Sequence, residues 1–149
     1  NTHELRLDDT NAKTDDDTIF NDTDPTSSVF TVGADNSVNN SGYTYVAFLF
    51  ATLAGVSKVG SVTHSGSSTD VDCGFTAGAR FVLLKRVDSA GDWFFWDSVR
   101  GIVAGNDPYL LLNETAVQVT DTDLIDPLAS GFQISGDFTD GDYIFYAIA

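Results

Sequence analysis

The residues able to do chemistry are few in this sequence, and they stand apart from one another. His64 lies in Ser61-Val62-Thr63-His64-Ser65-Gly66, a Ser/Gly-rich stretch that reads as a loop, and His3 lies near the start. A hydrolase triad needs a histidine held between a nucleophile and an acid, and neither histidine has such a motif around it. The one cysteine, Cys73, follows Asp72, whose negative charge raises a thiol pKa and works against a reactive thiolate. Cys73 is therefore expected as a small, buried apolar side chain. There is no Gly-x-Ser-x-Gly elbow, phosphate-binding Gly-Lys-Ser/Thr loop, dinucleotide fingerprint or zinc-ligand spacing. No catalytic residue is expected, and the chain reads as non-enzymatic.

Carboxylates are the other chemical resource, with 22 acidic residues, nearly all of them Asp. Asp15-Asp16-Asp17, Asp22 with Asp24, and Asp121 with Asp123 and Asp126 offer the hard oxygens that calcium takes. None of these groups follows the Asp-x-Asp-x-Asp-Gly loop with its distal Glu, and Asp is also a common turn residue. No cofactor is expected, calcium alone staying open, and no metal ligand is assigned. Glycosidase chemistry has acids to draw on here, but nothing marks one pair. Asn-x-Ser/Thr triplets begin at Asn21, Asn39 and Asn113, as chance supplies in a chain rich in Asn and Thr.

Composition bounds what must position these groups. A chain of 149 residues, 42% hydrophobic and 12% aromatic, is long enough for one core. No run approaches the roughly 18 apolar residues of a membrane span. Lys and Arg number 7 against 22 acids, and a net charge of −15 repels phosphate backbones and anionic lipid. Nucleic-acid partners and membrane insertion are excluded on that ground. The one basic island is Arg80, Lys85, Arg86 and Arg100, suited to an acidic copy of the chain or an anionic ligand. The plainer alternative is that these bases neutralise Asp88, Asp92 and Asp97.

Thr, Ser, Asn, Asp and Gly compete with helix and favour turns and strands. Short alternating or aromatic runs fall at 4–8, 28–33, 43–51, 58–63, 71–75, 80–87, 93–99, 109–112, 131–135 and 142–148. This spacing predicts an all-β fold, an antiparallel β-sandwich or jelly-roll-like module. The clearest hairpin joins 81–87 to 93–99 through Asp88-Ser89-Ala90-Gly91-Asp92. Trp93, Phe94, Phe95 and Trp96 are consecutive, so their rings point to both faces of a strand and both faces need cover. One face is expected on a partner sheet, the other under a loop, a neighbouring repeat or another subunit.

An internal half-repeat organises the chain. Leu5 to Thr10 matches Leu110 to Thr115, Asp16 to Phe20 parallels Asp121 to Ile125, and Pro25 to Val32 parallels Pro127 to Ile134. Tyr45-Val46-Ala47-Phe48-Leu49-Phe50-Ala51 then parallels Tyr143-Ile144-Phe145-Tyr146-Ala147-Ile148-Ala149. Four blocks in one order divide the chain into 1–51, 52–105 and 106–149. Residues 52–149 read as a complete unit, and 1–51 as the second half of a preceding or duplicated one. The half-repeat is expected to pack with the rest as one compact domain over 1–149.

Several of these motifs carry a resemblance. Pro25-Thr26-Ser27-Ser28-Val29-Phe30-Thr31-Val32-Gly33, Val38-Asn39-Asn40-Ser41-Gly42, Thr44 to Ala51, Lys58-Val59-Gly60-Ser61, Gly74-Phe75, Arg80 to Arg86, Asp88 to Trp93, Asp97 to Gly101, Asn106 to Leu110, Gly131-Phe132-Gln133-Ile134 and the terminal Tyr-rich strand cover nearly the whole chain. Together they resemble an uncharacterised β-rich domain of structural and tail-fibre-like proteins of marine tailed phages. Members often read Phe-Val-x-x-Gly-Phe where this chain has Val71-Asp72-Cys73-Gly74-Phe75. The resemblance implies a structural module of a bacteriophage virion, in a tail fibre, spike or capsid-surface appendage, located on the virion or outside the cell. Its implied partners are copies of itself or other virion proteins, with a host-surface glycan as a further one. The alternatives are a subunit of an extracellular filament assembled by strand addition, and a polysaccharide-degrading module. A glycan-binding surface calls for exposed rings beside short polar side chains. Trp93, Trp96, Tyr109 and Tyr43 supply rings, Asn106 and Asp107 polar groups, and Arg86 and Arg100 charge. The competing expectation is that both Trp are core and Asn106-Asp107-Pro108 is a turn.

Overall fold

In the computed structural model, which describes residues 3–149, the elements run β1 (His3–Glu4), β2 (Thr14–Asp15), α1 (Asp17–Phe20), α2 (Asn36–Asn39), β3 (Ser57–His64), β4 (Thr69–Asp72), β5 (Phe81–Arg86), β6 (Trp93–Asp97), β7 (Leu110–Leu111), β8 (Ile125–Leu128), β9 (Gly131–Ile134) and β10 (Gly141–Ile148). They fall in two compact units, one of residues up to Arg6 with Lys13–Leu49, the other of Leu7–Ala12 with Phe50–Ala149. All strand pairs are antiparallel.

The larger unit is a β-sandwich of a five-stranded sheet, ordered β3-β10-β5-β6-β7, and a three-stranded sheet, ordered β4-β9-β8. Strand alternation decides which side chains meet between them. Tyr143, Phe145 and Ala147 of β10, Val82 and Leu84 of β5 and Trp96 of β6 face inward from the larger sheet. Val71, Ile125, Phe132 and Ile134 come from the smaller one and complete the buried cluster. Phe132 meets Phe145 edge to face, with ring centroids 5.6 Å apart. Pro127, which has no N–H to give a ladder, is placed on β8, an edge strand.

The smaller unit is held by local caps. Asp16 Oδ1 accepts from the Thr18 N–H at 2.8 Å and caps α1, and Asp35 Oδ1 accepts from the Ser37 N–H at 2.7 Å and caps α2. The Gly33 N–H donates to the Ile19 carbonyl at 2.7 Å. A Cβ on Gly33 would lie 2.0 Å from the Thr18 carbonyl oxygen, so only glycine fits there.

Most expected strands of the larger unit form, with small shifts at their ends. Three expected strands do not: 28–33 and 43–51 form none, and of 4–8 only Glu4 lies in a strand, the two-residue β1. A strand needs a neighbour to take its N–H and C=O groups. The half-repeat in sequence is therefore not a repeat in conformation: Asp16–Phe20 is a capped helix, whereas its counterpart 121–125 runs into β8. Tyr45–Ala51 is neither helix nor strand and is exposed, whereas its counterpart is β10, flanked by β3 and β5. The first copy has no such flanking pair among the described residues, and it takes local structure instead.

Candidate interaction surface

The larger sheet has an outer face as apolar as many cores. The register places Ile148 beside Phe81, Tyr146 beside Leu83 and Phe95, and Ile144 beside Lys85 and Trp93, all on the side away from the smaller sheet. Rings run across it in sequence: Phe50 to Tyr146 at 4.7 Å, Tyr146 to Phe81 at 5.8 Å and Phe81 to Phe95 at 5.2 Å. The Arg100 guanidinium closes the row, 5.0 Å over Phe95 and paired with Asp97. The sequence reading singled out Arg100 but missed Phe50, Phe81 and Tyr146. The period-two alternation of 81–86 against 144–148 is the signal that could have found Phe81 and Tyr146.

Residues Leu7–Ala12 cover part of this face, and Lys85 fastens them. Its amine is fully buried and donates to the carbonyls of Thr10 at 3.0 Å, Asn11 at 2.9 Å and Gly91 at 2.7 Å, with the Trp93 ring 6.0 Å away. Burial lowers its pKa, while Asp92 and Asp9 act the other way.

The proposed surface residues separate. Trp93 is half-buried on the outer face, with its N–H donated to Asn113 Oδ1 at 2.8 Å. Trp96 lies on the opposite face and is fully buried, stacked on Phe94 at 5.4 Å. Tyr109 is half-buried in the same inner cluster, 5.7 Å from Trp96. Asp107 is fully buried, which corrects its placement on a surface, as burial corrects that of Trp96. Asn106 and Tyr43 are exposed, Tyr43 in the smaller unit. Arg86 pairs with Asp88 at 2.8 Å, and that hydrogen bond holds the Asp88 carboxyl down at about 2. Trp93 and Arg100 thus share the outer face, Trp96 and Tyr109 the core, and no single patch collects the set.

Asp107 is a buried carboxyl with one oxygen unpaired. Its Oδ1 accepts from the Val103 N–H at 2.8 Å, while Oδ2 has no hydrogen-bond partner. Burial raises its pKa to about 6, and the charges of Asp123 and Asp126 push the same way. The native carboxyl keeps its proton to higher pH than the unfolded one, so this group's contribution is fully present below the ordinary carboxyl value of about 4 and is lost as pH rises through about 6. Asp107→Asn keeps the acceptor for Val103 and cannot ionise. It is expected to match the wild type in urea unfolding at acid pH and to exceed it above neutrality by about 1–2 kcal/mol. An equal difference at both pH values would contradict this.

The other candidate groups stand apart from one another. His64 is buried, with Nδ1 2.9 Å from Thr69 Oγ1 and its ring edge-on to Phe138, and no carboxylate bonds to it among the described residues. Cys73 is buried and its thiol is pushed up to about 11, first by burial, with Lys58 opposing and Asp72 adding. Among the described residues no group of three His, Cys, Asp or Glu side chains is placed to hold a metal ion. Asp16 of the acidic run serves as a helix cap.

The smaller unit ends in an exposed apolar run. Tyr43, Val46, Phe48 and Leu49 are all exposed, Val46 at 79% and Phe48 at 80%, and Phe50, the first residue of the larger unit that follows, is exposed too. Phe48 and Leu49 line a shallow concavity of about 330 Å³ with Phe20, Pro25 and Phe30. Contiguous exposed apolar surface on this scale marks a contact site rather than ordinary scatter.

These features define an antiparallel β-sandwich domain with an apolar outer sheet face and an exposed apolar segment. The family described as Domain of unknown function (DUF7483) matches residues 1–149, and the chain belongs to that family. No curated protein and no solved structure matches it.

Proposed function

We propose that this domain is a self-assembling structural module of a bacteriophage virion, with copies of itself or other virion proteins as partners. The observation that carries the assembly reading is the apolar run from Tyr43 to Phe50, exposed although it is among the most β-prone stretches of the sequence. The aromatic row on the outer sheet face supports it, since a face of that composition gains from cover. The virion part of the reading rests on the resemblance of motifs from Pro25 to the terminal Tyr-rich strand.

Sedimentation velocity of the chain at micromolar concentration is expected to show species heavier than 16.0 kDa. A single 16.0 kDa species at every concentration would overturn self-assembly. Antibody raised against the chain is expected to decorate tailed particles; failure to label any particle would overturn the virion assignment separately.

A further inference from the structure

We propose that residues 43–51 add as a strand to the free edge of β3 in a second copy of this chain, continuing a register that the chain begins on itself. The inference rests on the assembly reading above and specifies its contact. β3 is an edge strand. On its open side Leu53 and Ser57 exchange both backbone hydrogen bonds at 2.9 Å, an antiparallel hydrogen-bonded pair. That register sets Ala51 opposite Val59, Leu49 opposite Ser61 and Ala47 opposite Thr63.

The ladder stops after its first rung. The Val59 N–H donates to Thr52 Oγ1 at 3.2 Å, and the same hydroxyl donates to the Val59 carbonyl at 3.4 Å, so a side chain stands where a strand's backbone belongs. By alternation Ser61 and Thr63 turn their backbone groups to the same side, and no backbone partner meets them there among the described residues. The donor is equally bare: Thr44–Phe50 makes no backbone hydrogen bond among the described residues.

Acceptor and donor therefore lie on one chain and are self-complementary, which is the condition for strand exchange between identical copies. The half-repeat supplies the second argument. Tyr45–Ala51 corresponds to β10, and β10 pairs with the other edge of β3 along the full length of that strand. A strand of this sequence type is one that β3 already accepts. Apolar residues on both faces of 43–51 fit a strand paired and covered, not a solvent-facing linker. In this register Phe48 falls opposite Val62 and Phe50 opposite Gly60, so Phe50 leaves the Tyr146 ring on which it stacks within one chain.

The test is a disulfide between copies. Leu49→Cys and Ser61→Cys chains, purified separately with buried Cys73 left in place, are mixed and oxidised. A hydrogen-bonded antiparallel pair holds its Cα atoms about 5.5 Å apart, within disulfide reach. A linked dimer is expected, with about tenfold less product when Val59→Cys, two residues out of register with Leu49, replaces Ser61→Cys. Leu49→Pro removes the amide that faces β3, at a position exposed in the single chain, and is expected to return the assembly to 16.0 kDa. Light scattering runs in parallel. Heavier species without the 49–61 link overturn strand addition and leave the assembly reading standing. A 16.0 kDa chain throughout overturns both. A third chain that carries both Leu49→Cys and Ser61→Cys is oxidised alone: a link within the single chain, with none between the mixed chains, shows the segment closing on its own β3 and overturns the second copy as occupant.

Discussion

Trp96→Ala is expected to cost about 3–5 kcal/mol, a large share of the total stability of a domain this size. Trp96 is fully buried, stacks on Phe94, and packs against Tyr109 and Phe138, so truncation opens a cavity that rigid sheets on either side cannot close. Its Nε1 has no hydrogen-bond partner, so Trp96→Phe removes an orphaned donor along with the volume and is expected to cost much less than the alanine change. Tyr43→Ala, at a ring exposed to 72%, is expected to stay within about 0.5 kcal/mol. Denaturant midpoints of the three variants separate a core tryptophan from a surface one. A small effect of Trp96→Ala with retained fold would overturn the packing described.

Lys85→Met ranks second, at about 2–3 kcal/mol, because it leaves the carbonyls of Thr10, Asn11 and Gly91 without their shared donor. Methionine fills much the same space, so the loss isolates the polar clamp rather than packing. Faster hydrogen exchange at the Gly91 amide, which donates to Thr10, is expected in the same variant. The sign with pH also follows. Burial holds the folded amine below its ordinary pKa, so in the window between the two values the unfolded chain binds more protons and stability rises with pH. Lys85→Met is expected to lose that rise, and an unchanged alkaline slope would contradict the assignment.

The sandwich was legible in the sequence because its strands alternate and sit between turn residues, as in 81–86 and 141–148. What misled was 43–51, whose residues 45–51 are as apolar and aromatic as the β10 stretch they parallel. Composition states what a segment can do; a strand also requires neighbours, and only β10 has them within this chain. Ile125–Leu128 escaped notice for the opposite reason, since Pro127 argues against a central strand but is tolerated on an edge. Of the surface residues, Trp96 illustrates one limit. The parity of a position along β6 decides whether a ring faces core or solvent, and four consecutive aromatics conceal that parity. Lys85 was legible only as charge. Its partners Thr10 and Asn11 stand 75 and 74 positions away, and they are carbonyls that sequence does not mark.

Amide hydrogen exchange of residues 44–50 across a concentration series tests the central claim most directly, because these N–H groups are unpaired within one chain and paired in the assembly. Protection of 44–50 is expected to rise with concentration, together with that of Ser61 and Thr63 on the open edge of β3, while the buried strands β5 and β10 stay protected throughout. Fast exchange over 44–50 at every concentration would contradict the account.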